Sequence, residues 1–159
     1  MKNIKWTELL IFIIGTELVG VLSSLFSGDF SAFYNELVRP PLSPPGFIFP
    51  VVWTILYALM GISAYLIFVS DSDTDIGEKK NALFLYSIQL FVNFMWSIVF
   101  FRLENIAAAA VVLIILIILV IIMILRFKKI EPLAGYINIP YLIWMLFALY
   151  LNLGFLILN

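Results

Sequence analysis

Residues 107–125 read AAAAVVLIILIILVIIMIL, nineteen consecutive positions without a polar side chain. Few folds are open to a chain that carries such a run. Its many β-branched residues would favour a strand in water. In hydrocarbon, however, every backbone N–H and C=O must pair within the segment, and a run this long then forms a helix. A bilayer-spanning helix needs about 20 mostly apolar residues. Five segments meet that length: 5–26, 46–69, 81–101, 105–127 and 133–158.

Composition agrees. The 159 residues are 64% hydrophobic and 12% charged, against about 45–50% apolar and about 25% charged in a soluble domain. Mean hydropathy is +1.14. There is too little polar surface to cover a water-soluble particle, so the expected class is an all-α integral membrane protein. Residues 1–159 form one domain, a five-transmembrane-helix bundle with a short amphipathic helix in the first loop. A net charge of −1 gives no electrostatic basis for binding nucleic acid. Cysteine and histidine are both absent, which excludes disulfides, thiolate catalysis, imidazole base chemistry and the usual ligands of zinc or haem. No metal site is expected, and no cofactor is required.

The first segment follows Lys2 and Lys5, as a signal peptide would. Its run continues for about twenty residues, carries Glu17, and lacks an A-x-A-like cleavage site, so it reads as a retained helix. Five spans put the N-terminus, the 70–80 loop and the 126–132 loop on one face. Lys2, Lys5, Lys79, Lys80, Arg126, Lys128 and Lys129 fall there; only Arg39 and Arg102 fall on the other. That asymmetry predicts a cytoplasmic N-terminus. In the DSDTDIGEKK loop, Asp71, Asp73 and Asp75 fall short of a calcium-loop pattern, and a solvated connector is expected.

The first loop, 28–45, is more specific. DFSAFYNELV offers Asp29 or Ser31 as an N-cap. Phe30, Phe33, Tyr34, Leu37 and Val38 come next, at the i, i+3, i+4, i+7, i+8 spacing of an amphipathic helix. Pro40, Pro41, Pro44 and Pro45 then make a stiff extended strap, because each fixes φ and lacks an amide hydrogen. Such a strap is suited to roof a site as a lid, since ordering it costs little entropy.

Beneath that loop, polar and aromatic residues recur on single helical faces. They are Trp53, Tyr57, Met60 and Ala64 on the second span; Gln89, Asn93, Trp96 and Phe100 on the third; and Tyr141, Trp144, Ala148 and Asn152 on the fifth. Carboxamides in hydrocarbon must face protein or a wet cavity. Two readings are open: a ligand pocket among spans two, three and five, or interface tryptophans and helix-bridging amides. Pro50 and Pro140 lie near helix starts and read as local kinks. Glu17 is either a proton-coupling carboxylate, as in small multidrug exporters, or a partner for neighbouring groups amid Gly15, Gly20, Ser23 and Ser24.

These motifs resemble the translocator protein family, whose bacterial members are tryptophan-rich sensory proteins and whose mitochondrial members are peripheral-type benzodiazepine receptors. The resemblance rests on FYNELVRPPLSPPGFIFPVVWTILYALMGISAYL at 33–66, QLFVNFMW at 89–96, PLA at 132–134 and PYLIWMLFALYLN at 140–152, covering essentially the whole chain. It implies a five-helix bundle in a bacterial cell membrane, with a ligand cavity beneath the first loop. The ligands implied are porphyrins such as protoporphyrin IX, isoquinoline-carboxamide and benzodiazepine-type molecules and, in animals, cholesterol. Carried over by position, the pocket falls on Tyr34, Trp53, Asn93, Trp96, Trp144, Phe147 and Ala148; Tyr57 and Gln89 join it from their place on the stripes. Some bacterial members are proposed to degrade porphyrin with light and oxygen, and the tryptophans implicated match Trp53 and Trp144. Two departures are visible. Leu153 and Ile157 stand where the animal cholesterol motif has Tyr and a basic residue, and Phe84 and Ile88 stand near a glycine pair linked to dimer packing. A homodimer is implied by family habit alone.

Stacking indoles with amide and phenol groups suit a flat disc with polar edges. Without His or Cys, strong axial ligation is lost and only Met or Tyr remains, so metal-free porphyrin is expected to be preferred over haem. Three functions are compatible with these features: a membrane sensor holding a planar hydrophobe, a photo-oxidative porphyrin-degrading enzyme, or a transporter. Five spans do not divide into equal inverted halves, which weighs against the last.

Overall fold

A computed structural model describes residues 4–28, 30–71 and 75–159, and the side chains of these residues except 30–32. It contains α1 (Trp6–Phe26), α2 (Phe30–Glu36), α3 (Ile48–Val69), α4 (Ile76–Ser97), a π-helical turn (Ile98–Arg102), α5 (Ile106–Ile130), α6 (Pro132–Ile137) and α7 (Ile139–Leu158). Five spans are long and apolar enough to cross a membrane: α1, α3, α4 with its π turn, α5, and α6 with α7. The protein is thus the expected all-α integral membrane bundle. The N-cap at Asp29 or Ser31, the place of Phe30 in its stripe, and the roles of Lys2 and Asp73 lie outside the described residues.

The spans differ from expectation at their ends, for local reasons. α4 starts at Ile76, not Asn81, because Asp75 caps it by accepting from Gly77 N–H at 2.9 Å. At its far end the same span widens into the π turn. α5 is capped by Asn105, whose Oδ1 accepts from Ala108 N–H at 2.9 Å, and runs on to Ile130, with Lys128 and Lys129 in a last turn that favours cations. The fifth span is two helices broken at Asn138, and Pro140 falls in the first turn of α7, where its missing N–H costs nothing.

α5 is the bundle's spine. It packs on α4 and α7, burying Leu113, Leu116, Val120, Met123 and Phe127 and leaving Ile114, Ile115 and Ile118 outward. Outward isoleucines are at home where the solvent is lipid. α1 is the least enclosed span, with only Thr16 and Ser23 buried, and it lies chiefly along α3. Gly61 allows that approach, since a Cβ there would stand 2.7 Å from Ile13 Cα.

The strap is fastened mainly to the end of α7. Tyr150 donates to the Pro41 carbonyl at 2.7 Å, Asn159 accepts from Val38 N–H at 2.8 Å, and Pro40 is buried against Gly154. From α2, Tyr34 donates to the Pro44 carbonyl at 2.7 Å.

Candidate functional site

A partly open cavity of about 300 Å³ lies at the first-loop end of the bundle. α1 contributes Glu17, Gly20, Val21, Ser23 and Ser24 to its wall, and its C-cap adds Ser27. α3 contributes Phe49, Pro50, Trp53, Thr54 and Tyr57, and the third span adds Trp96, Ser97 and Phe101. The π turn matters here. Inserting one residue's worth of backbone into a helix re-aims the side chains beyond it; here Phe101 reaches the cavity while its neighbour Phe100 is buried against Trp96 and Phe155. Trp53 and Tyr57 stack at 5.3 Å, one helical turn apart, and present a continuous aromatic face.

Spacing alone draws the convergence to spans two, three and five. The cavity instead opens among the first three spans. The carboxamides explain the shift, because they are spent on the opposite flank of α3. Tyr57 donates to Asn93 Oδ1 at 3.0 Å; Asn93 Nδ2 donates to the Tyr141 hydroxyl at 2.8 Å; and Tyr141 donates to Gln89 Oε1 at 3.0 Å. Gln89 Nε2 closes the chain on Met60 Sδ at 3.7 Å. This buried network ties α3, α4 and α7 together, and neither Gln89 nor Asn93 is among the residues lining the cavity.

The remaining expected site residues stand nearby. Trp144 is half-buried and meets the cavity residue Phe49 edge-on at 5.9 Å, with Phe147 tilted against it at 5.5 Å. Ala148 is buried. Tyr34 is buried beneath the strap, 5.3 Å from Phe49. Burial raises its phenol pKa above the ordinary value, while Arg39 and Ser43 pull the other way. Phe49 therefore links the cavity to Tyr34 and Trp144. None of the expected lid residues Pro40, Pro41, Pro44 and Pro45 lines the cavity; Pro40 and Pro41 lie against α7, and the Pro44 carbonyl holds Tyr34. Of the expected residues, Trp53, Tyr57 and Trp96 share the cavity wall, whereas Tyr34, Gln89, Asn93, Trp144, Phe147 and Ala148 do not line it. Sequence reasoning missed the serines of α1, Phe49, Thr54 and Phe101. The spacing of small residues at 20, 23, 24 and 27, one face of α1, was the available signal.

Fold and site together define a class: a small polytopic membrane protein with an aromatic-walled cavity near one bilayer surface. The chain belongs to the TspO/MBR family, whose model matches residues 12–158. It is 36% identical over 146 residues to the tryptophan-rich protein TspO of Chlorobaculum tepidum, covering 89% of each chain. It is 30% identical over 157 residues to a tryptophan-rich sensory protein of Cereibacter sphaeroides, covering 99% of this chain and 94% of the relative. The sheep (Ovis aries) translocator protein is 31% identical over 128 residues, covering 79% and 73%.

Proposed function

We propose that the protein is a membrane sensor that holds porphyrin, protoporphyrin IX in particular, or a similar planar hydrophobe against Trp53. The observation that carries this reading is the stacked Trp53–Tyr57 face opening into a partly open cavity also walled by Trp96. Ligand cavities run from about 300 to 1,000 Å³, so this one is at the small end. An isoquinoline-sized ligand fits inside it, and a tetrapyrrole fills it and extends through the open side. Trp144 and Tyr34 back the site through Phe49, Phe147 lies against Trp144, and the strap holds Tyr34 through the Pro44 carbonyl. The basic asymmetry of the loops makes the N-terminus cytoplasmic, and family likeness supports a bacterial cell membrane and a homodimer as the working unit.

Titration of the detergent-solubilised protein with protoporphyrin IX, in the dark, tests this. Saturable quenching of tryptophan fluorescence is expected, with affinity reduced about tenfold or more in Trp53→Ala, the cost of losing one stacking ring in a desolvated site. Unsaturable quenching that is the same in both proteins defeats the proposal. Illumination of the same samples, with Trp144→Phe added, in air asks whether Trp53 and Trp144 also support porphyrin breakdown.

A further inference from the structure

Glu17 is half-buried on α1. It lies in the cavity wall, and among the described residues no hydrogen bond or ion pair engages its carboxylate. No Lys or Arg is among the lining residues, so the wall carries one acid and no base. An acid within a spanning helix is expensive, and it persists where it faces a cavity and meets a partner there. The described residues supply no such partner.

The rest of the wall is suited to the same missing charge. Trp53 and Tyr57 offer ring faces, and the Tyr57 hydroxyl is already committed to Asn93, so the ring is what Tyr57 has left to give. Of the aromatic side chains, tryptophan attracts a desolvated cation over its face most strongly. Trp96 provides a second, independent mark of a ligand, of either charge. It is 6% exposed, lies in this wall, and its indole N–H has no acceptor. An unmet buried donor in a cavity wall seeks an acceptor atom on whatever fills it.

We propose that this cavity is selective for planar aromatic cations, a protonated amine or ring nitrogen facing Glu17 and the ring stacking on Trp53 and Tyr57. The proposal rests on the ligand-binding reading above and sharpens it. The carboxylate edge of a tetrapyrrole is repelled from Glu17 and lies away from α1, so anionic porphyrin is accepted in spite of Glu17, not because of it.

The test compares two tricyclic probes of one shape on the full chain in non-ionic detergent. Proflavine is cationic, and acridine is neutral at mildly alkaline pH. Both are titrated into wild type, Glu17→Gln, Glu17→Asp and Trp53→Ala, with protoporphyrin IX alongside. Wild type is expected to prefer proflavine by about tenfold. The Gln variant loses that preference to within about twofold while keeping or gaining porphyrin affinity, and the Asp variant retains a part of it. Equal binding of the two probes by wild type overturns the proposal, as does a preference that survives in Glu17→Gln. If porphyrin binds through Trp53 and proflavine does not bind, only this inference falls. If neither binds, the ligand-binding reading falls with it.

Discussion

At the scale of single residues, the centre of the bundle is a chain of donors and acceptors. Asn93 stands between two tyrosines, receiving from Tyr57 and giving to Tyr141. Replacing Asn93 with Leu leaves the Tyr57 hydroxyl buried without an acceptor, which costs about 1–2 kcal/mol in a membrane protein's interior. Tyr141 is less affected, since its donation to Gln89 survives. Removing both ends, in Tyr57→Phe with Asn93→Leu, is expected to cost less than the two single changes summed, by roughly 1 kcal/mol. Thermal unfolding of the four proteins in detergent measures that coupling, and strict additivity contradicts the bond. The sequence revealed that these amides face inward, because hydrocarbon leaves them no alternative. It did not reveal what they bond. Spacing fixes the face of a helix, whereas the choice between a ligand and a tyrosine on another span depends on how helices rotate against one another.

At the scale of elements, the glycines separate contact from lipid. Gly61 admits the backbone of α1, so even a methyl group there forces two helices apart. Gly15, on α1 itself, meets nothing within 4 Å. Gly61→Ala is therefore expected to destabilise by about 1–3 kcal/mol through overpacking, and Gly15→Ala to be neutral or slightly stabilising, as alanine is the better helix former. Melting temperatures of the two variants decide between this packing and one in which α1 drifts freely; equal values favour the latter. Gly154 plays a similar part beneath Pro40, where a Cβ would stand 2.6 Å from the proline ring. The five spans were legible in hydropathy alone. The break at Asn138 and the π turn were not: Asn138 is held by a local network, donating to Ser63 Oγ at 2.6 Å and the Ala134 carbonyl at 2.9 Å, and nothing in an apolar periodicity encodes such a bond.

At the scale of the whole molecule, charge separates the two ends. Lys5, Lys79, Lys80, Arg126, Lys128 and Lys129 gather at one, while Arg39 and Arg102 stand at the other, beside the strap and the cavity. The asymmetry that orients spans during insertion predicts that the strap faces outward. A ligand then reaches the cavity from the outer leaflet or the outer water, and the bond network linking α3, α4 and α7 lies between it and the cytoplasm. The chain has no cysteine, so single cysteines report position without further engineering. Glu36, at the end of α2, and Lys80, near the start of α4 at the opposite end, are both exposed. In intact cells stripped of their outer layers, a membrane-impermeant maleimide is expected to label Glu36→Cys at once and Lys80→Cys only after permeabilisation. The reverse pattern places the cavity on the cytoplasmic side and makes the cytoplasm the source of the ligand. Labelling of both sites in sealed cells indicates mixed insertion, which the six-to-two distribution of described basic residues is large enough to prevent.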